Sequence, residues 1–191
     1  KEIFDISSER PVLLVMGGSQ GAETINDAIL TALPTLLVKY EIIHITGEKN
    51  YKQVVKEATV VMPKNHERLY HPYPSLKSEI AHAYATASLI ISRSGATSIF
   101  EIALVGKPSI LIPLKTSAGN HQRENAYVMK DAGACVVIEE DNLTTNILMS
   151  TVDQILENKN TYDEFSRNAK QFSLPDAAKT LARELYRLSR K

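Results

Sequence analysis

A chain of 191 residues, 43% hydrophobic and 23% charged, reads as one globular domain or two small ones, able to bury about 70% of its unfolded surface. Its 22 Lys and Arg balance 22 Asp and Glu, which argues against a nucleic-acid binder that works through a global positive field. The single cysteine, Cys135, lies in an apolar run; this excludes a disulfide framework and a cysteine-based zinc site, and fits a reducing compartment. No apolar stretch approaches the ~18–20 residues of a membrane span. The charged start, Lys1 to Arg10, has no secretory h-region, and the missing initiator Met points to a piece of something longer.

Val12 to Met16 is a continuous apolar run ending in Gly17-Gly18, the pattern of a strand buried on both faces. Ala22 to Leu33 has helical spacing, with Ile25, Ala28, Ile29 and Ala32 on one face and a break expected near Pro34. Glu41 to Thr46 reads as the second strand, Tyr51 to Ala58 as a short helix, and Thr59 to Met62 as the third strand. Residues 63–78 hold three prolines and little periodicity, which predicts a loop with room for one short strand. Then come a helix from Ile80 to Ala87, a strand from Leu89 to Ile91, and a helix from Thr97 to Val105 stopped by Gly106 and Pro108. Ser109 to Ile112 is the next strand, Leu114 to Asn120 a loop, His121 to Ala132 a helix ended by Gly133, and Cys135 to Ile138 a strand. Residues 144–157, 161–171 and 176–189 read as three helices. Alternating helices and short apolar strands predict one doubly wound α/β domain, a Rossmann-like parallel sheet of about six strands with a C-terminal helical tail.

In such sheets ligands bind beyond the C-terminal strand ends. Three turns there carry unusual chemistry. Gly17-Gly18-Ser19-Gln20-Gly21-Ala22 lets backbone approach a ligand, and the following helix start favours an anion; a tight turn without a ligand explains it equally well. It matches neither G-x-G-x-x-G nor a P-loop. Arg93-Ser94-Gly95-Ala96-Thr97-Ser98 leads to Glu101. Thr97 or Ser98 suits a helix cap and the N–H groups suit a diphosphate. Glu101 reads either as a carboxylate complementing the helix dipole or as an acceptor for vicinal hydroxyls. Ser117-Ala118-Gly119-Asn120-His121-Gln122, with Asn125 a turn later, is amide-rich and suits a hydroxyl-bearing ligand; plain N-capping by Asn120 is the simpler alternative. Together the three suggest a sugar nucleotide. His44 reads as a satisfied or surface histidine, while His66, His71 and His82 lack metal-ligand spacing. No Asp-x-Asp pair occurs, and the Ser and His pairs do not suggest an esterase.

These turns, with Ile99-Phe100-Glu101, Gly106-Lys107-Pro108-Ser109 and Asn120-His121-Gln122-Arg123-Glu124-Asn125-Ala126, resemble the C-terminal half of the MurG family of peptidoglycan N-acetylglucosaminyltransferases, in order and spacing from about Pro11 to the final helix. The resemblance implies the donor half of a GT-B glycosyltransferase that moves N-acetylglucosamine from UDP-N-acetylglucosamine to a lipid-linked muramyl pentapeptide with inversion. It implies residues 1–10 as a linker remnant, 11–175 as the UDP-sugar domain and 176–191 as a C-terminal helix crossing to the other half. Gly18, Ser19 and Gln20 would lie beside the diphosphate and sugar, and Arg93, Ser94, Gly95, Ala96, Thr97, Ser98 and Glu101 at the diphosphate and ribose. His121, Gln122 and Asn125 would meet the sugar, and Lys77 would meet uracil through its main chain, although the family usually has an apolar residue there. Asn120 stands where many members have Asp and would keep a cap. No metal or other cofactor is implied. The acceptor, membrane contact and general base would belong to a missing N-terminal half, placing the whole protein in the cytoplasm on the inner face of the membrane and leaving this chain able to bind donor but not transfer it. A donor-binding subunit of a two-chain enzyme, a UDP-N-acetylglucosamine 2-epimerase half and a lipid glucosyltransferase half remain as alternatives.

Overall fold

The computed structural model describes residues 2–6, 9–18 and 22–189. Its strands are β1 (Val12–Met16), β2 (Glu41–Ile45), β3 (Tyr70–Tyr73), β4 (Leu89–Ser92), β5 (Ser109–Leu111) and β6 (Cys135–Val137). They form one parallel sheet in the order β3-β2-β1-β4-β5-β6, the doubly wound topology that the alternation predicts. Every residue of β1 is buried, which is why it reads as an unbroken apolar run. Leu13 and Val15 feed one core with α1 (Glu23–Lys39), α2 (Tyr51–Val61) and α6 (Thr145–Glu157). Val12, Leu14 and Met16 feed the other with α3 (Ile80–Thr86), α4 (Ala96–Val105) and α5 (His121–Asp131).

α7 (Lys159–Phe172) ties down the ends of α4 and α5. Lys170 Nζ donates to Leu104 O at 2.7 Å, and Asn168 Nδ2 to Gly133 O at 3.0 Å. Gly106 and Gly133 take φ of +64° and +66°, the left-handed backbone that ends a helix and that glycine adopts without strain. α8 (Ala177–Leu188) contributes no buried side chain; Leu181, Leu185 and Leu188 all remain largely exposed. Near the start of the chain, Phe4 and Ile6 are buried in the second core, and Phe4 meets Tyr73 edge-on at 5.6 Å. The segment read as a linker remnant therefore packs on the domain, Phe4 alone contributing about 1.5–3 kcal/mol by burial.

Two expectations for the elements are corrected. Thr59 to Met62 is not a strand: α2 continues to Val61, with Thr59 Oγ1 bonded back to Val55 O at 2.9 Å and Val60 81% exposed. The β-branched run mimics a buried strand but lies on the outer side of the helix. The third strand is instead the short one inside 63–78. It is an edge strand, where Pro72 is tolerated because one side has no ladder partner. Nor does α1 break at Pro34. It runs on to Lys39, because Leu33, Leu36 and Leu37 are fully buried and outweigh the lost backbone bond, a cost of about 3 kcal/mol.

The first core contains one buried polar chain. His44 Nε2 donates to Asn26 Oδ1 at 3.0 Å, His44 Nδ1 accepts from Tyr70 Oη at 2.7 Å, and Asn26 Nδ2 donates to Thr46 O at 3.1 Å. Neutral imidazole satisfies both neighbours. Burial pushes the His44 pKa down to about 3 from 6.5. Below pH 6.5 the unfolded chain takes up a proton that the native chain refuses, so His44's contribution is complete above 6.5 and is lost as pH falls toward 3. Urea unfolding at pH 7, 6 and 5 should show stability falling by up to about 1.4 kcal/mol per pH unit from this group. His44→Gln should be less stable at pH 7 but flatter across that range; parallel curves would contradict the assignment.

Candidate functional site

The chain leaves β1 for β2 on one side and later returns to β4 on the other, so the C-terminal ends of β1 and β4 border a topological switch point, where open α/β sheets bind ligands. All three unusual turns open on this edge, after β1, β4 and β5. The first two are joined by Arg93 N donating to Met16 O at 3.4 Å.

Gly18 takes φ +82°, and a side chain added there would meet nothing within 4 Å. Ser19 and Gln20 lie outside the described residues. Gly95 is different: its φ of −62° and ψ of 146° suit any residue, and a Cβ there would also meet nothing within 4 Å. Neither backbone nor packing requires glycine at 95, so its effect is to keep the space in front of α4 open. Gly95 is the residue that caps α4, and no side chain caps the helix. Thr97 and Ser98 sit inside its first turn and do not cap it; Ala96 and Thr97 are exposed. The uncapped N–H groups and the helix dipole offer an anion a preformed seat.

Glu101, one turn further on, is half-buried. Its Oε2 accepts from Tyr84 Oη at 2.9 Å, leaving Oε1 available. Burial, then the Glu101 charge, holds the Tyr84 hydroxyl well above its usual pKa, so it remains a donor. α3 thus aims the carboxylate. Nothing local in the sequence marks Tyr84, because only the packing of α3 beside α4 makes it a neighbour of Glu101.

Ser94 is fully buried and structural in its contacts: Oγ donates to Gln122 O at 2.6 Å, and its carbonyl accepts from Asn125 Nδ2 at 3.2 Å. These bonds dock α5 against the β4 turn. Gln122 Oε1 accepts from Leu114 N at 3.0 Å, which leaves the amide NH2 as its free end. His121 is exposed and its ring lies over Gly119, where a Cβ would come within 2.9 Å of Nε2. Asn120 occupies the cap position of α5 in a left-handed conformation, φ +59°, and makes no capping bond, contrary to the capping expected from the sequence. Arg93 is nearly buried and points sideways: Nη1 donates to Ile112 O at 3.2 Å and Nη2 to Glu140 Oε1 at 2.5 Å. Lys77 is exposed just before α3, with its N–H bonded to Glu79 Oε2 at 3.2 Å and its carbonyl to Ile80 N at 3.3 Å. Among the described residues no three His, Cys, Asp or Glu side chains cluster as metal ligands, and no helix is long and apolar enough to cross a membrane.

Gly17 to Gly21 does carry the G-x-S-x-G spacing of a nucleophile elbow, so the esterase reading is not excluded by spacing; the comparisons decide between them. The fold and site define a Rossmann-like domain with an open, anion-accepting crevice. The model of the glycosyltransferase family 28 C-terminal domain matches residues 12–181, and the chain belongs to that family. It is 36% identical over 98% of its length to the UDP-N-acetylglucosamine--N-acetylmuramyl-(pentapeptide) pyrophosphoryl-undecaprenol N-acetylglucosamine transferase of Finegoldia magna, covering 50% of that protein. The crystal structure of Acinetobacter baumannii MurG superposes with a TM-score of 0.81 at 25% identity, over 97% of this chain and 52% of that one. The UDP-GlcNAc 2-epimerase of Neisseria meningitidis, bound to UDP-GlcNAc, shares the fold alone: TM-score 0.69 and 15% identity, over 97% of this chain and 47% of that one. The chain spans about half the length of the curated relatives it matches.

The hydrogen bonds separate structural from free side chains at the crevice. Ser94→Ala should destabilise the domain by about 0.5–1.5 kcal/mol in urea unfolding, because it removes the hydroxyl bond that docks α5 on the β4 turn. Thr97→Ala, which removes an exposed side chain that caps nothing, should stay within about 0.5 kcal/mol. A loss above about 1 kcal/mol for Thr97→Ala would restore it as a cap.

Proposed function

We propose that this domain binds UDP-N-acetylglucosamine across the β1/β4 crevice as the donor half of an inverting N-acetylglucosaminyltransferase of peptidoglycan synthesis. The observation that carries the reading is the pair of unobstructed glycine turns joined at the switch point, followed by the uncapped start of α4 and the half-buried Glu101. The names of the family relatives support the choice of donor and reaction.

In this reading the diphosphate lies against Gly18 and Gly95 and accepts from the first N–H groups of α4. Glu101, aimed by Tyr84, accepts from the ribose hydroxyls, and the base lies near Leu76 and Lys77. The free NH2 of Gln122 donates to the sugar, with His121 beside it, while Ser94, Asn125 and Arg93 hold the turns in place. Ser19 and Gln20 complete the glycine turn.

The acceptor hydroxyl oxygen attacks the anomeric carbon from the face opposite the diphosphate. The bond from that carbon to the diphosphate oxygen breaks with its electron pair going to the oxygen. The acceptor proton passes to a base supplied by the N-terminal half of the whole enzyme. Preformed α4 dipoles stabilise the charge developing on UDP, so the donor side works without a metal. The N-terminal half would also carry the lipid-linked muramyl pentapeptide site and the contact with the inner face of the membrane. The 191 residues alone would bind donor without transferring it.

Calorimetric titration tests this reading. UDP-N-acetylglucosamine should bind more tightly than UDP-glucose, and EDTA should not change its affinity. Glu101→Ala should weaken binding about 10–100-fold, the effect of losing a charged hydrogen-bond acceptor, and Tyr84→Phe by less than about tenfold. Undiminished binding by Glu101→Ala, or transfer to a lipid-linked acceptor by the isolated chain, would overturn it.

A further inference from the structure

Glu140 belongs to none of the three turns and to no motif, yet Arg93 of the second turn and the loop leading to the third both reach it. It opens a short 3-10 turn, Glu140–Asn142, beyond the end of β6, the edge strand. One carboxylate oxygen, Oε1, accepts from Arg93 Nη2 at 2.5 Å; Arg93 reaches there across the end of β5, bonding Ile112 O on the way. The other, Oε2, accepts from the backbone N–H of Lys115 at 3.2 Å, in the loop that leads to Gln122. Arg93 and Glu140 are both largely shielded, with side chains 7% and 15% exposed. Burial opposes the charge on Glu140, but its hydrogen bonds, first to Arg93 and then to the Lys115 amide, outweigh it and hold the carboxyl below its usual range.

The loop from Pro113 to Asn120 turns on two backbone bonds of its own, Ser117 N to Leu114 O and Asn120 N to Ser117 O, and Lys115 Nζ pairs with Asp141 at its exposed side. Its backbone N–H groups at Leu114 and Lys115 are held by the side chains of Gln122 and Glu140. Two left-handed residues, Gly119 and Asn120, follow. The Ser117 hydroxyl is buried without a partner. The carboxylate therefore links the β4 turn, through Arg93, to this loop, through Lys115 N.

We infer that Glu140 is a positioning residue of the donor site, acting through Arg93 and Lys115 N to set the spacing between the β4 turn and the sugar-facing Gln122. The inference rests on the donor-site reading above. It implies that Glu140 governs how much the sugar adds to binding, since α4 can hold the diphosphate without it, whereas Gln122 must be held at the right distance.

The test uses the chain itself with Glu140→Ala and Glu140→Gln. Amide hydrogen exchange without ligand should show residues 114–120 losing protection in Glu140→Ala while β1 and β4 keep theirs. In calorimetry, Glu140→Ala should weaken UDP-N-acetylglucosamine about tenfold more than UDP, collapsing the preference for the sugar. Glu140→Gln, which keeps one accepting oxygen, should fall between the two. Equal weakening of both ligands, tracking a lower urea midpoint, would make Glu140 merely structural and overturn the inference. Unchanged exchange at 114–120 would overturn it too. Wild-type chain that bound no nucleotide at all would refute the donor reading and with it the role in sugar preference, while exchange would still show separately whether the clamp exists.

Discussion

β1 and β4 pair in parallel from Leu13 against Leu89 to Met16 against Ser92, although 76 residues separate the first pair. Because β2 already occupies the other side of β1, this pairing forces the chain to wind outward in both directions. It thereby brings the glycine turn after β1 and the Arg93–Gly95 turn after β4 side by side at one edge. Parallel strands need both faces covered, and the two helical layers supply that cover. The crevice follows from the topology before any side chain is considered.

The chemistry placed there divides its labour. Backbone shapes the open space: Gly18 and Gly95 leave room, and α4 begins without a side-chain cap. Polar side chains mostly hold backbone in place. Ser94 and Asn125 fasten α5 to the β4 turn, Gln122 fastens it to the loop after β5, and Arg93 fastens the β4 turn to the end of β5 and to Glu140. Glu101 and the NH2 end of Gln122 each keep a free polar atom after their internal bonds are satisfied. A site built this way is largely rigid before a ligand arrives, which is the condition for electrostatic stabilisation without reorganisation.

How much of this was legible follows from how local each signal is. β1 and β4 were readable because a strand buried on both faces is mostly apolar, and β2, β5 and β6 because each keeps a short apolar run between turn residues. β3 was not, since an edge strand tolerates Pro72 and polar residues, while the β-branched end of α2 imitated a strand on its solvent side. The continuation of α1 through Pro34 depended on burial from elsewhere, which local propensity does not encode. At the site, the motifs located the turns but not the roles within them. Arg93 and Ser94 read as ligand contacts, and their side chains prove to be committed to protein carbonyls and Glu140. Tyr84 and Glu140 went unnoticed because each acts on a residue far away in sequence, through packing that exists only in the fold.

The central claim is that the ligand occupies the β1/β4 crevice, and amide chemical-shift mapping during titration with UDP-N-acetylglucosamine tests it most directly. The account predicts perturbations concentrated at Gly18, at Gly95 to Ser98 and around Gln122. A groove of about 420 Å3 between α1 and α2, lined by Asp27, Val60 and Val61, should stay silent. Shifts confined to that groove, with Gly95 to Ser98 unmoved, would contradict it.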